Sequence, residues 1–294
     1  MTIASCYVTP EGIVLGADST STYETNGVAH YFNHAQKLFE IGKDSSLGLI
    51  TWGLGSFGAI SYRRLIAECS ETLIANPPKT VAEVCTRWID HAWKEYQAEF
   101  ASVVQEVAAL NAKLPLDPVK VGDPAHRSAE EERRLAAIQL QHFVGFCIGG
   151  YTKRSRVPMA FAIGFDITKP KPTPNALGIG VYFWGAPSII LRLVRGYDLD
   201  LREALIKSGN WSGTPADLDA LLAQYALDHS PTVPIRDAID FVHSSIMSTI
   251  KALKFSRLSQ ICGGPIEIAA ITADRPFRWV RHKMLDQAIS EGEP

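Results

Sequence analysis

Threonine at position 2 places a hydroxyl on the residue that becomes the amino terminus once the initiator methionine is removed. An α-amine, with a reference pKa of roughly 7.7–8.0, is substantially unprotonated near neutrality. It can accept the hydroxyl proton directly or through water, which makes the threonine a usable nucleophile. Lys37 is the cation whose field would lower the amine's pKa and stabilise a developing alkoxide, with Asp18 keeping that lysine charged and oriented. The backbone N–H of Gly53, at a strand-to-helix turn with no Cβ to obstruct approach, is the candidate donor to the oxyanion of an attacked carbonyl. These parts amount to acyl transfer. Thr51 and Gly55 flank the glycine turn and are candidates for the first substrate pocket, where their lack of charge favours apolar or small side chains.

Other reactive residue types carry weaker signals. Cys262 has no motif-linked histidine and reads as a small buried apolar residue. His30 and His34 are four apart, but their segment reads as a loop and no third metal ligand accompanies them. Trp88, Trp93, Tyr96 and Phe100 fall at helical spacing and read as core or subunit interface. Gly178-Ile179-Gly180 lacks the spacing of a dinucleotide fingerprint. No cofactor and no metal is indicated.

The elements that must position the chemistry begin with a hairpin. Thr2 to Val8 alternates, Thr9-Pro10-Glu11-Gly12 supplies turn chemistry, and Ile13 to Asp18 is apolar again. With Val8 facing Ile13, Thr2 falls opposite Ser19, beside Asp18. Ser19 to Asn33 is polar with a turn at Asn26-Gly27, and strands are expected at Lys37–Ile41 and Leu47–Trp52. Helical patterns follow at Phe57–Ala75 and Thr80–Ala112, and Ser128-Ala129-Glu130-Glu131 reads as a capping box. Strands are expected at His142–Tyr151, Val157–Asp166 and Ala176–Trp184. Helices follow near Pro187–Gly196, Leu201–Lys207, Ala216–Leu227 and Ile235–Leu253, with strands at Ile266–Thr272 and Phe277–Arg281. Runs of strands separated by runs of helices favour a layered α+β domain over alternating βαβ units.

Composition excludes other classes. Charges of 29 basic against 31 acidic residues leave no excess for a nucleic-acid face. No apolar stretch reaches the roughly 20 residues of a membrane-spanning helix. The start of the chain has no secretory signal pattern. Five widely spaced cysteines without a CxxC pair fit a reducing compartment, so a cytoplasmic location is expected.

The segments Thr2-Ile3-Ala4, Gly16-Ala17-Asp18-Ser19, Lys37-Leu38, Trp52-Gly53-Leu54-Gly55 and Cys262-Gly263-Gly264-Pro265-Ile266-Glu267-Ile268 resemble the proteasome β-subunit family. The resemblance is strongest over residues 1–60 and returns at Val181–Leu205 and Ser256–Thr272. It implies an N-terminal-nucleophile hydrolase fold, a four-layer αββα sandwich of two antiparallel sheets between helical layers. Residues 1–294 would form one domain, with insertions near 100–141 and 208–234. It assigns Thr2 as nucleophile and base, Lys37 as cation, Asp18 as its partner and Gly53 as oxyanion donor. Gly263-Gly264 would turn near the nucleophile, with Cys262 where the family commonly has serine. Ser259 stands where an aspartate usually supports the terminal amine. Ala186 stands where a serine usually contacts it, and a shift would substitute Ser188.

The implied activity is that of a threonine-type endopeptidase, cleaving peptides or unfolded chains through an acyl-enzyme on Thr2 inside a homo-oligomeric ring. Two alternatives stay open: a non-catalytic scaffold subunit of the same fold, and a small-molecule amidase of the same nucleophile class. Neither a feeding ATPase nor the ring size is read from the sequence.

Overall fold

The computed structural model describes residues 2–25, 28–120, 122–227 and 232–283. The chain opens with β1 (Ile3–Thr9) and β2 (Gly12–Ala17), which pair with Val8 opposite Ile13 and Ala4 opposite Ala17. Thr9 Oγ1 closes the Pro10-Glu11 turn by accepting from Gly12 N–H at 3.2 Å. A second hairpin follows, β3 (Ser21–Thr25) with β4 (Val28–Phe32), and then β5 (Leu38–Glu40) and β6 (Leu47–Gly53). Helices α1 (Tyr62–Ala75), α2 (Val81–Glu99), α3 (Ala101–Asn111) and α4 (Ala129–His142) lead to β7 (Val144–Thr152) and β8 (Ser155–Phe165). Short strands β9 (Asn175–Leu177) and β10 (Gly180–Gly185) precede α5 (Ser188–Arg195), α6 (Leu199–Lys207), α7 (Pro215–Ala223) and α8 (Ile235–Lys254). The described chain finishes with β11 (Glu267–Thr272) and β12 (Arg275–Arg281).

The strands form two five-stranded antiparallel sheets, ordered β10-β1-β2-β11-β12 and β5-β6-β7-β8-β9, beside the two-stranded β3-β4 pair. Strand alternation divides the side chains of β1 between two faces. Ala4, Cys6 and Val8 join a buried cluster with Leu38, Ile50, Trp52 and Cys147 of the other sheet. Ile3 and Tyr7 instead meet Val242, Ile246 and Ile250 of α8. Gly16 makes that helix's close approach feasible, since a Cβ there would lie 2.5 Å from Val242 Cγ1. In the other sheet, Leu49, Phe146, Ile148 and Phe161 pack with Leu65 of α1 and Trp88 and Ile89 of α2. Each fully buried large apolar side chain contributes about 1.5–3 kcal/mol, against ~0–1 kcal/mol for an exposed ion pair. These clusters therefore set the packing of sheets and helices.

Three segments depart from the sequence reading. Ser19 to Asn33 forms the β3-β4 hairpin, whose Tyr23 stacks on His30 and Phe32 at centroid distances of 4.9 and 5.2 Å. Its expected Asn26-Gly27 turn lies outside the described residues. The long helix expected over Thr80–Ala112 kinks at Phe100, where φ is −102° and ψ 31°. The Phe100 ring there packs edge-on against Phe57, Tyr96 and His142. The strand expected at Ala176–Trp184 is two strands in different sheets, divided at Gly178-Ile179.

Candidate active site

Asp18 follows the last residue of β2 and is fully buried. Its carboxylate is satisfied from four sides. Oδ1 accepts from Ile3 N–H at 3.1 Å and from Lys37 Nζ at 2.7 Å. Oδ2 accepts from Thr20 N–H at 3.2 Å and from Gly263 N–H at 2.9 Å. Asp18 N–H in turn donates to Ile3 O at 3.2 Å. One side chain thus links the peptide unit after Thr2 to the lysine and to the late glycine turn.

Lys37 immediately precedes β5, and its carbonyl accepts from Thr51 N–H of β6 at 3.0 Å. Its ammonium also donates to Thr20 O. Burial pushes Lys37 below the usual lysine range, and Asp18 opposes that shift by charge and hydrogen bond. Cys262, fully buried beside this pair, has its thiol pushed up to about 12 by burial, with Asp18 adding to the rise and Lys37 opposing it. It is therefore a neutral thiol at ordinary pH.

Thr2, Lys37, Thr51, Gly53 and Gly55 line one cleft of about 850 Å³. Thr2 is held from the β10 side, where Ala186 N–H donates to Thr2 O at 2.8 Å. Gly53 has φ +88°, and a Cβ there would lie 2.5 Å from Phe143 O, so the position demands glycine. Thr51 Oγ1 donates to Gly145 O at 3.1 Å, leaving its methyl as the apolar end of the side chain. The rest of the cleft is uncharged: Trp52, Leu54, Tyr62, Phe143 and Leu140 form an apolar wall, with the carboxamides of Gln36, Gln139 and Gln141 and the hydroxyl residues Ser21 and Thr22. Lys37 is the sole charged side chain among these described lining residues.

The supporting residues expected near the amine are placed less uniformly. Gly263 reaches the site through its N–H on Asp18, and Cys262 packs behind it. Ser259 is exposed and Ser188 stands at the start of α5; neither lines the cleft. The backbone of Ala186, and not a hydroxyl, meets Thr2.

No protein-family model and no curated protein matches the sequence. Solved structures align with 99% of the chain at low identity. One is Anbu (ancestral beta-subunit) from Yersinia bercovieri, with 9% identity, 94% of that chain covered and a TM-score of 0.49. An Anbu (Gly-1) mutant from Hyphomicrobium sp. strain MC1 gives 9% identity, 95% coverage of that chain and a TM-score of 0.47. Anbu from the same strain gives 11%, 98% and 0.44. The resemblance to the proteasome β-subunit family is corrected accordingly: with no family match, its short motifs do not establish membership. Those motifs mark local requirements, a glycine where φ is positive or helices approach closely and a carboxylate where buried N–H groups converge. Unrelated chains can meet the same requirements.

Two groups escaped the sequence reading. Glu267, fully buried at the start of β11, pairs with Lys283 just beyond β12, Nζ to Oε2 at 3.3 Å, and has His282 Nδ1 2.8 Å from Oε1. Ala136, Gln139, Leu140 and Gln141 bring α4 and its C-terminal end into the cleft wall. The capping box that starts α4 was legible, with Ser128 and Glu131 bonded reciprocally, but nothing in those later residues marks a substrate wall. Among the described residues no cluster of three or more His, Cys, Asp or Glu could hold a metal ion, and no helix is long and apolar enough to cross a membrane.

Proposed function

We propose that the chain is an N-terminal threonine hydrolase acting on peptide bonds. The observation that carries this reading is the convergence of Thr2, Lys37 and Gly53 on one cleft, with Lys37 held at 2.7 Å by a fully buried Asp18. The reaction requires Thr2 to be the first residue of the mature chain. Thr2 Oγ attacks the carbonyl carbon as its proton passes to the α-amine. The resulting oxyanion is stabilised by Gly53 N–H. Alternation along β6 supports that donor, since Thr51 N–H goes to Lys37 O and Leu54 N–H goes to Phe143 O on the opposite side. Gly53, two residues after Thr51, has its N–H on the Lys37 side, beyond the end of β5. The protonated amine then gives its proton to the leaving nitrogen, the C–N bond breaks and an ester forms on Thr2. Water, deprotonated by the same amine, attacks the ester, releasing the carboxylic acid and restoring the hydroxyl. The Lys37 charge favours the unprotonated amine and the alkoxide character of Oγ throughout.

The wall of Trp52, Leu54, Tyr62, Leu140 and Phe143 favours an uncharged, apolar side chain next to the scissile bond. The packing of one sheet on α8 and of the other on α1 and α2 supports an αββα layer order, and we read residues 100–141, including α4, and residues 208–234 as additions to a single domain. Five free, buried cysteines fit a reducing, cytoplasmic setting. Exposed Leu199, Leu201 and Leu221 on α6 and α7 offer surface for a homo-oligomeric ring, and light scattering that finds monomers alone removes that part of the reading.

Treatment with a threonine-directed covalent inhibitor, followed by peptide mapping, tests the mechanism. We expect loss of Met1 and one adduct on Thr2, and a T2A chain that folds but neither reacts nor hydrolyses peptides. The fold should survive because the Thr2 contact in the sheet is through its carbonyl. Uniform retention of Met1 with no adduct supports a scaffold in place of an enzyme. Hydrolysis restricted to small amides redirects the substrate to that class.

A further inference from the structure

Lys283 is half-buried, with 10% of its side chain exposed, yet it lies outside the cleft and takes no part in the reaction above. Its ammonium donates to Ala35 O at 2.8 Å, to Ser19 Oγ at 3.3 Å and to Glu267 Oε2 at 3.3 Å. Those acceptors are the segments that carry the proposed catalytic groups. Ser19 directly follows Asp18, and Ala35 is two residues before Lys37. Glu267 lies opposite Ala17 in the sheet, four residues after Gly263, which donates to Asp18. The segments are further bonded to one another, Ala35 N–H to Ser19 O at 2.9 Å and Ser19 N–H to Gly263 O at 3.0 Å. A surface lysine would have no reason to give up its hydration for this junction. A buried cation is costly unless its hydrogen bonds are met, and here three acceptors from three chain segments meet them.

We propose that Lys283 is a positioning residue for the hydrolase: it clamps the Ser19, Ala35 and Glu267 segments together and so fixes the Lys37 ammonium relative to Thr2. The clamp is also electrostatic. Lys37 is surrounded by Asp18 at the end of β2, Cys262 and Glu267 before and on β11, and Lys283 beyond β12. Lys283 in turn faces Glu267, Lys37 and Arg63 of α1, with His282 on the other oxygen of Glu267. Positive charge on Lys283 disfavours positive charge on Lys37, while Glu267 favours it. The pair Glu267–Lys283 thereby balances the field at Lys37.

The inference rests on the hydrolase reading for its kinetic consequence alone, and the test separates the two. In K283M, kcat should fall about 10–100-fold, as a displaced catalytic cation costs, with KM within about twofold. K283R should recover most of the loss. The Lys37 ammonium, followed by ¹³Cε NMR and assigned with K37R, should titrate at a higher pH in K283M, by about 0.5 or more, because a neighbouring cation is gone while Glu267 remains. If K283M does not fold, the K283M/E267Q chain, which strands no buried charge, takes its place, and its kcat should still fall because Ala35 and Ser19 are untethered. Wild-type kcat in either variant, or an unmoved Lys37 titration in K283M, overturns the proposal. If wild-type protein shows no Thr2-dependent hydrolysis, the functional reading fails by itself, and the Lys37 titration alone decides the role of Lys283: a midpoint that rises supports it, and one that stays overturns it.

Discussion

Two lysine–carboxylate couples, each with a fully buried carboxylate, stand side by side, and they are built differently. Asp18 accepts four hydrogen bonds, three of them from backbone N–H groups, and its lysine opens on the cleft. Glu267 is equally buried, but its Oε1 has no aligned hydrogen bond among the described residues, and its lysine reaches past it to Ala35 and Ser19. In the first couple the carboxylate is the fixed centre and the cation is its dependent. In the second the cation is the centre, and the carboxylate is one of three acceptors. A buried ion pair is anchored by whichever partner the backbone holds, and that partner's loss should be the more damaging.

The largest effect tests that ordering directly. D18A leaves Lys37 buried without its partner and strands three N–H groups, so unfolding in urea should show a loss of about 3–5 kcal/mol. E267A leaves Lys283 its contacts with Ala35 and Ser19, and the loss should be about 1–3 kcal/mol. An equal or reversed order breaks the comparison.

A smaller effect comes from pH. Burial lowers both Lys37 and Lys283 below 10.5, so between the lowered values and 10.5 the folded chain binds fewer protons than the unfolded one. Stability contributed by each lysine therefore rises with pH across that window. Over the same window Lys37 loses its charge, and hydrolysis should fall. Measured as the difference between wild type and K37M, the urea midpoint should shift in favour of wild type as pH rises while kcat/KM of wild type declines. A difference that moves the other way would show that Lys37 carries no burial penalty.

The smallest effect sharpens the boundary between the couples. Cys262 sits beside the Asp18–Lys37 pair but does not line the cleft, and burial holds it as a thiol, pushed up to about 12. C262A should cost about 1 kcal/mol and leave hydrolysis within about twofold. Inactivation by C262A, or rapid alkylation of native Cys262 at neutral pH, would make it a participant.

How much of this was legible follows the distance over which each feature is encoded. The hairpin of β1 and β2 is local: a turn at Pro10-Glu11 and alternation on both sides give the register that brings Asp18 to Ile3. The capping box at Ser128 is local too. The β3-β4 hairpin escaped because its Tyr23, Tyr31 and Phe32 remain 44%, 48% and 61% exposed, so no buried face imprints a pattern. The kink at Phe100 has no glycine or proline to announce it, and tertiary ring packing places it. Lys283 was illegible for the same reason as the α4 wall. Its partners lie 248 and 264 residues away at Ala35 and Ser19, and a lysine near the end of a charged segment reads as solvated.

Polypeptide ends ordinarily fray. Here β1 is stitched to β10 on one flank and to β2 on the other, and Ala186 N–H holds Thr2 O at 2.8 Å just ahead of the strand. For protein production this has a practical meaning: under the proposed mechanism, a purification tag or even a one-residue scar left ahead of Thr2 would cap the α-amine that the reaction needs. Samples intended for assay need a fusion that is removed flush with the threonine.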